Sequence, residues 1–228
     1  MMLVAHDTIA VLDRPLDTGI SRAVERDGDL TTYDPRIREV LCPLIPQGGT
    51  VVDGGAFIGD HTVAYAEAVG PAGHVWAFEC SPNTLECLYF NTKALPQVHV
   101  VSAALAEQRG AVTIWASWGV ASCDAIGRAV PEGIPTVPLD AFTFDRLDYV
   151  KLDLEGYELK ALRGAEGQLR RHRPVVVVES GRQLARYGDS RADLLACMTD
   201  LGYHGEILPF EHPYHDVFDM LFRPEPRA

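Results

Sequence analysis

The chain has 228 residues, 47% of them hydrophobic, enough for one α/β domain with a substantial core. Its formal charge of −12 and pI near 5.0 argue against nucleic acid or an anionic membrane surface as the main partner, because an acidic surface repels both. No apolar run approaches the roughly 20 residues of a membrane span, and MMLVAHDTIAVLDRP lacks the basic start and apolar core of a signal peptide. The five cysteines, Cys42, Cys80, Cys87, Cys123 and Cys197, are odd in number and lack zinc-site spacing, so they read as mostly buried thiols of a reducing cytoplasm.

In chain order, residues 34–45 (DPRIREVLCPLI) put Ile37, Val40, Leu41 and Leu44 on one helical face, with Asp34 as cap and Pro35 in the first turn. TVVD reads as a strand, HTVAYAEAV as a helix closed by Gly70-Pro71, and HVWAFE as a second strand. Ser81 and Pro82 open a helix over SPNTLECLYFNTKAL, and VHVVSAAL is a third strand. Residues 107–140 are less regular: AVTIWAS and PTVPLD suggest short extra strands around the loop WGVASCDAIG. Alternation resumes with DYVKLDL as strand, EGYELKALRGAEGQL as helix, RPVVVVE as strand and a Ser190-capped helix over SRADLLACMTDLGY. GEILPF and DVFDMLFR follow with no intervening helix and should pair antiparallel. The expected architecture is a mostly parallel sheet with an antiparallel last strand and helices on both faces. The expected organisation is a single domain over 1–228: a helical cover over 1–47, then a Rossmann-like core over 48–228 with an insertion at about 107–140.

Ligands on such sheets bind at the carboxyl ends of the strands. The first strand ends in Asp53-Gly54-Gly55-Ala56-Phe57-Ile58-Gly59, which is not the G-x-G-x-x-G of a dinucleotide pyrophosphate site. An acidic residue at that position disfavours a phosphate and favours a cationic amine, while the glycines suit close backbone approach. Glu79 ends the second strand, placed for the hydroxyls of a ribose. S-adenosylmethionine, with an ammonium, a sulfonium and no phosphate, fits both carboxylates.

The stretch VVDGGAFIGDHTVAYAEAVGPAGHVWAFECSPNTLECLYFN, with VPLDAF, LDYVKLDLEGYELKALRGAEGQL and RPVVVVE, resembles the FkbM-type methyltransferases over roughly residues 34–180. KLDLEGYE with the later VVVVE is the family-specific part; the chain departs at Gly54 to Phe57, where the family often has a bulkier first residue and asparagine at the fourth. The resemblance implies the seven-stranded class I methyltransferase sheet, S-adenosylmethionine as donor and a small-metabolite hydroxyl as acceptor. It also implies a cofactor set of Asp53, Gly54, Gly55, Ala56, Phe57, Gly59, His61, Thr62, Glu79, Cys80, Ser81, Asn83, Ser102, Ala103 and Asp153, with Tyr33 as part of an N-terminal cover.

Methyl transfer is an in-line displacement, so alignment supplies much of the rate and a hydroxyl acceptor gains from a base. Asp153, Glu155 and Glu179 are the candidates, with Asp153 first. The same carboxylates suit a Mg²⁺ that acidifies the acceptor, or a structural pairing in which Lys151 neutralises Asp153 or Glu155. His204, His212 and His215, with Glu206 and Glu211, form no recognised metal motif, and no metal site is assigned. Trp115, Trp118 and the loop to Ile126 either roof the acceptor pocket or pack as a satellite cluster. The expected activity is O-methylation of a neutral or cationic small molecule in the cytoplasm, with no nucleic acid or membrane partner and a possible homodimer. N-methylation of an amine or guanidine is the main alternative; a nicotinamide oxidoreductase and a non-catalytic nucleoside-binding module are the others.

Overall fold

A computed structural model describes residues 2–5, 9–12, 19–31, 34, 36–113, 115–117, 120–122, 128–129, 133–209 and 216–226. The N-terminal part is not purely helical as expected. Strands β1 (Met2–Ala5) and β2 (Ile9–Leu12) form an antiparallel hairpin ahead of helix α1 (Gly19–Asp27). The anticipated helix over 34–45 is a π-helical turn, Ile37–Leu41, running into a 3₁₀ turn, Cys42–Leu44, with Pro43 inside it. A proline there removes a donor and breaks regular α-helical bonding. Asp34 still caps: its Oδ1 accepts the Arg36 N–H (3.0 Å) and its carbonyl accepts the Ile37 N–H (3.1 Å).

Strand β3 (Thr50–Gly54), helix α2 (Asp60–Val69), strand β4 (His74–Glu79), helix α3 (Pro82–Thr92) and strand β5 (Val98–Ser102) follow the predicted alternation. The third predicted strand divides after Ser102. Strand β6 (Ala104–Leu105) leaves the main sheet and joins β11 (Ile134–Val137) and β7 (Gly110–Val112) in a small sheet ordered β6-β11-β7. Between them β8 (Trp115–Ser117), β9 (Val120–Ser122) and β10 (Arg128–Ala129) form a second small sheet ordered β10-β8-β9. The irregular segment is therefore strand-rich, with a strand even inside the predicted loop.

Strand β12 (Tyr149–Leu152) is followed by two short helices, α4 (Glu158–Arg163) and α5 (Glu166–His172), in place of one continuous helix. The break lies at Gly164, where a Cβ would come within 2.0 Å of the Ala106 carbonyl oxygen. Strand β13 (Val175–Ser180), helix α6 (Arg191–Asp200) and strands β14 (Tyr203–Ile207) and β15 (Phe218–Pro224) complete the chain. Ser190 caps α6, as the sequence suggested, and the structure completes the cap as a capping box with Asp193.

The main sheet has seven strands ordered β14-β15-β13-β12-β3-β4-β5. Strands β13, β12, β3, β4 and β5 pair in parallel, and β15 runs antiparallel to both β13 and β14. Alternate residues face opposite sides of a strand. Val52, Val150, Val176 and Val178 pack against the side that includes Leu162, Leu169 and Met198, whereas Val51, Tyr149, Val177 and Leu221 pack with Ile37, Tyr65 and Val69. The second face matters for function. Continuing by twos from Val51, Tyr149, Val177 and Leu221, the same face carries Asp53, then Lys151 and Asp153, Glu179 and Asp219.

Candidate active site

The cleft rim is the carboxyl end of β3, β4, β12 and β13, where the sheet's apolar rows give way to charged ones. Asp53 is fully buried; its Oδ2 accepts the Thr62 hydroxyl (2.6 Å), and its Oδ1 has no partner. Burial raises its pKa, opposed by the Lys151 ammonium. Beyond it the chain turns tightly. Gly55 has φ +81, and a Cβ there would lie 1.9 Å from the Asp153 carbonyl oxygen. A Cβ on Gly54 would sit 2.8 Å from Leu152 and 2.9 Å from Leu105. The clearance of these two glycines is thus used by the protein's own backbone and side chains.

Phe57, at the family's asparagine position, has φ +52, a left-handed conformation uncommon for such a residue. Its N–H donates to Glu79 Oε2 (2.8 Å), while Cys80 and Ser81 N–H donate to Oε1 (2.8 and 2.7 Å). Glu79 is buried, which raises its pKa against the pull of those three N–H groups and of the Thr84 hydroxyl. It ties the glycine loop to the start of α3. Ser102 is the β5 partner of Glu79, so Ser102 and buried Ala103 share this end of the rim, while Asn83 lies exposed on the first turn of α3.

Around the anticipated His61 and Lys151 the site contains groups the sequence did not single out, namely Asp60, Tyr65, Arg36 and Asp219. Asp60, at the first position of α2, is buried and pushed up to about 7, first by burial and then by Asp53. His61 Nδ1 lies 2.9 Å from the Tyr65 hydroxyl, which lies 3.5 Å from that of Tyr149. Burial, with Lys151 and Arg36 nearby, holds His61 well below the usual histidine range and therefore neutral. Lys151, 3% exposed, places Nζ 3.0 Å from Asp153 Oδ2. Arg36 reaches from the N-terminal segment to Asp34 and to Asp219 (3.2 Å). Asp60 had a local sequence signal, an acidic residue opening a helix after the glycine loop. Arg36 and Asp219 had none, since only the placement of the N-terminal turn and the pairing of β13 with β15 bring them in.

Glu155 follows the end of β12 with φ +55, and the Gly156 after it has φ +106. Glu158 braces this turn: its Oε1 accepts the Leu154 (2.8 Å) and Gly156 (3.0 Å) N–H groups. Burial, then repulsion from Asp153 and Glu179, pushes Glu155 up to about 7. Its nearest cation is Arg186, at 3.8 Å. Asp153 and Glu179 thus both lie close enough to Glu155 to raise its pKa. Among the described residues no group of three or more His, Cys, Asp or Glu has metal-holding geometry. His204 lies exposed on β14, and its partner there is Arg223 of β15. Tyr33, Trp118, Glu211, His212 and His215 lie outside the described residues, as does the Trp115 side chain. Of the cysteines expected to be mostly buried, Cys87 is buried, whereas Cys42, Cys80 and Cys197 are half-buried.

The seven-stranded sheet with its antiparallel end strands and the acidic glycine loop after the first core strand define a class I methyltransferase fold. The Methyltransferase FkbM domain model matches residues 53–204, well over half of the chain, and the chain belongs to that family. Solved structures share the fold at low identity. A methyltransferase FkbM from Methylobacillus flagellatus is 20% identical with a TM-score of 0.55; the match covers 77% of this chain but only 44% of that one. A SAM-dependent O-methyltransferase from Thermotoga maritima is 12% identical with a TM-score of 0.56, over 96% of this chain and 74% of that one. Aeropyrum pernix fibrillarin with natively bound S-adenosyl-L-methionine is 10% identical with a TM-score of 0.54, over 79% of this chain and 68% of that one. No curated protein matches the chain. Among the described residues, no helix is long and apolar enough to cross a membrane.

Proposed function

We propose that this protein transfers a methyl group from S-adenosylmethionine to a hydroxyl of a small neutral or cationic molecule, with Asp153 as base. The carrying observation is the contact between two strand ends. The Asp153 N–H donates to the Gly54 carbonyl (3.0 Å), so the glycine loop and the candidate base are one rigid unit. The residues fit the cofactor. Unpartnered Asp53 Oδ1 suits an ammonium, and Glu79, at the end of β4, is placed for ribose hydroxyls. When bound, S-adenosylmethionine supplies an electrophilic methyl carbon on a sulfonium.

In this reading Asp53 and Glu79 fix the donor, and the rim formed by Asp153, Glu155 and Glu179 orients the acceptor. Asp153 would take the hydroxyl proton as the acceptor oxygen gains the methyl group and the electrons of the broken C–S bond stay on the neutral thioether sulfur, leaving a neutral carboxyl and a neutral methyl ether. The neighbour from Thermotoga maritima, described as an O-methyltransferase, agrees with this choice of atom. N-methylation of an amine or guanidine is the second reading. It is favoured by Glu155, a carboxyl whose pKa is raised first by burial and then by Asp153 and Glu179, and which a cationic amine or guanidine would complement.

Calorimetry with S-adenosylmethionine, S-adenosylhomocysteine and NADH tests the donor: the first two should bind, and binding of NADH alone would sink the proposal. Radiolabelled methyl transfer to a panel of sugars, polyols, phenols and amines then separates oxygen from nitrogen. Asp153→Asn should cut turnover of a hydroxyl acceptor by about 10² to 10⁴ with cofactor affinity intact. Normal turnover in that variant removes Asp153 as base.

A further inference from the structure

We infer that Lys151 is a positioning residue: its buried ammonium holds Asp153 by one carboxylate oxygen and leaves the other for the acceptor. This rests on the methyl-transfer reading above. Lys151 is the second-last residue of the central strand β12, and its cross-strand neighbours are Asp53 of β3 and Val177 of β13. A lysine 3% exposed inside a parallel sheet is unusual, because an isolated buried ammonium is strongly disfavoured. Here carboxylates from four elements surround it: Asp53 on β3, Asp60 on α2, Asp153 after β12 and Asp219 on β15. His61 on α2, Tyr149 on β12 and Glu155 in the following turn also feel its charge. Burial alone would lower its pKa, but Asp153, Asp53 and Asp219 together keep it well above the usual lysine range, so the charge is permanent.

Geometry then sorts these partners. Asp53 uses Oδ2 on Thr62, and Asp219 is bonded to Arg36. Asp153 takes the direct contact, Nζ to Oδ2 at 3.0 Å, with the lysine side chain 4% exposed and that of the aspartate 35% exposed. One end of the pair is locked in the sheet while the other opens on the cleft. The residues facing Asp153 otherwise are acidic: Asp53, Asp60, Glu155 and Glu158 each feel its negative charge. Without Lys151, a carboxylate in that company would turn away or hold its proton, and neither state serves as a base.

Lys151→Met in the full-length protein tests the inference. S-adenosylmethionine affinity is measured separately by calorimetry and turnover is read at saturating donor, because Lys151 also opposes the burial-driven rise of Asp53. Turnover of the best acceptor from the panel should fall about 100-fold, and the acidic limb of the kcat profile should move up by a pH unit or more. Combined with Asp153→Asn, the lysine change should add less than about threefold, since both act through one carboxylate. Carboxyl ¹³C NMR, assigned with Asp153→Asn, gives a readout without any acceptor: the Asp153 signal should titrate at higher pH in Lys151→Met. If Lys151→Met does not fold, Lys151→Arg keeps the charge and should leave the acidic limb in place while lowering kcat. An unmoved ¹³C titration, additive losses, or a shifted limb in Lys151→Arg would overturn the inference. A parent protein that binds no cofactor would overturn the functional reading, and the ¹³C titration would still decide the role of Lys151.

Discussion

The ends of β3 and β4 and the ends of β12 and β13 lie on one rim of one sheet, but they are finished differently. On the β3 and β4 side, Glu79 receives three backbone N–H groups, Asp53 receives a hydroxyl, and both carboxylates are almost wholly buried. On the β12 and β13 side the charges are less enclosed, and Glu155 has a more distant cation. Asp153 is about a third exposed and Glu155 meets its arginine only at 3.8 Å. The first half is organised before any ligand arrives, which suits one invariant donor molecule. The second leaves negative charge to be matched from outside, which suits selection of an acceptor.

The sharpest way to test this contrast is to intrude on the closed half. Gly55→Ala puts a Cβ 1.9 Å from the Asp153 carbonyl oxygen at φ +81, so it should abolish folding or cost upwards of about 4 kcal/mol in urea denaturation. Gly188→Ala, at φ +75 with nothing within 4 Å, should cost only about 1 kcal/mol. Similar losses for the two would mean that backbone conformation, and not the contact between strand ends, makes the loop need glycine.

Glu79→Gln comes next. An amide cannot accept at both ends, so it opposes either the Phe57 N–H or the Cys80 and Ser81 pair. S-adenosylmethionine affinity by calorimetry should fall by about 2 kcal/mol, roughly 30-fold. An unchanged affinity would mean that the anchoring of this loop does not matter for the donor.

On the open half the informative variable is pH. Burial raises Glu158 from 4.5 to about 7, so the folded state holds its proton more tightly than the unfolded state. Its favourable contribution is complete below about 4.5 and is lost as pH climbs to about 7. Glu158→Gln keeps an oxygen for the Leu154 and Gly156 N–H groups and removes that decline. Relative to the parent it should gain on the order of 1 to 3 kcal/mol between pH 4.5 and pH 8 in chemical denaturation. A constant difference across that range would show that Glu158 is ionised throughout.

The smallest effect is expected at Asn91, whose amide bonds both the backbone of Ala10 and the Ile58 carbonyl, clasping β2 to the glycine loop. Asn91→Ala should cost about 1 kcal/mol and speed hydrogen exchange at residues 9–12, with little change in β12.

Much of this was legible in the chain. Unbroken runs such as VVVV before Glu179 and VKL before Asp153 read as buried parallel strands, and Ser190 announced a helix start. The rim carboxylates were legible for the same reason, as they end those strands. Asp60 was passed over because an acidic residue opening a helix is ordinarily a surface feature, whereas here it is buried against a lysine from another strand.

By itself, then, the sequence determined the order of strands and helices, the acidic ends of the core strands and the family, since each depends on short-range periodicity or contiguous motifs. Only the tertiary structure decided what those residues meet. It showed that Gly55 makes room for Asp153, that Glu79 closes the loop through three N–H groups, and that carboxylates from β3, α2 and β15 join Asp153 around Lys151. Those facts depend on strand order and register, which are set by long-range packing and leave no trace in local spacing.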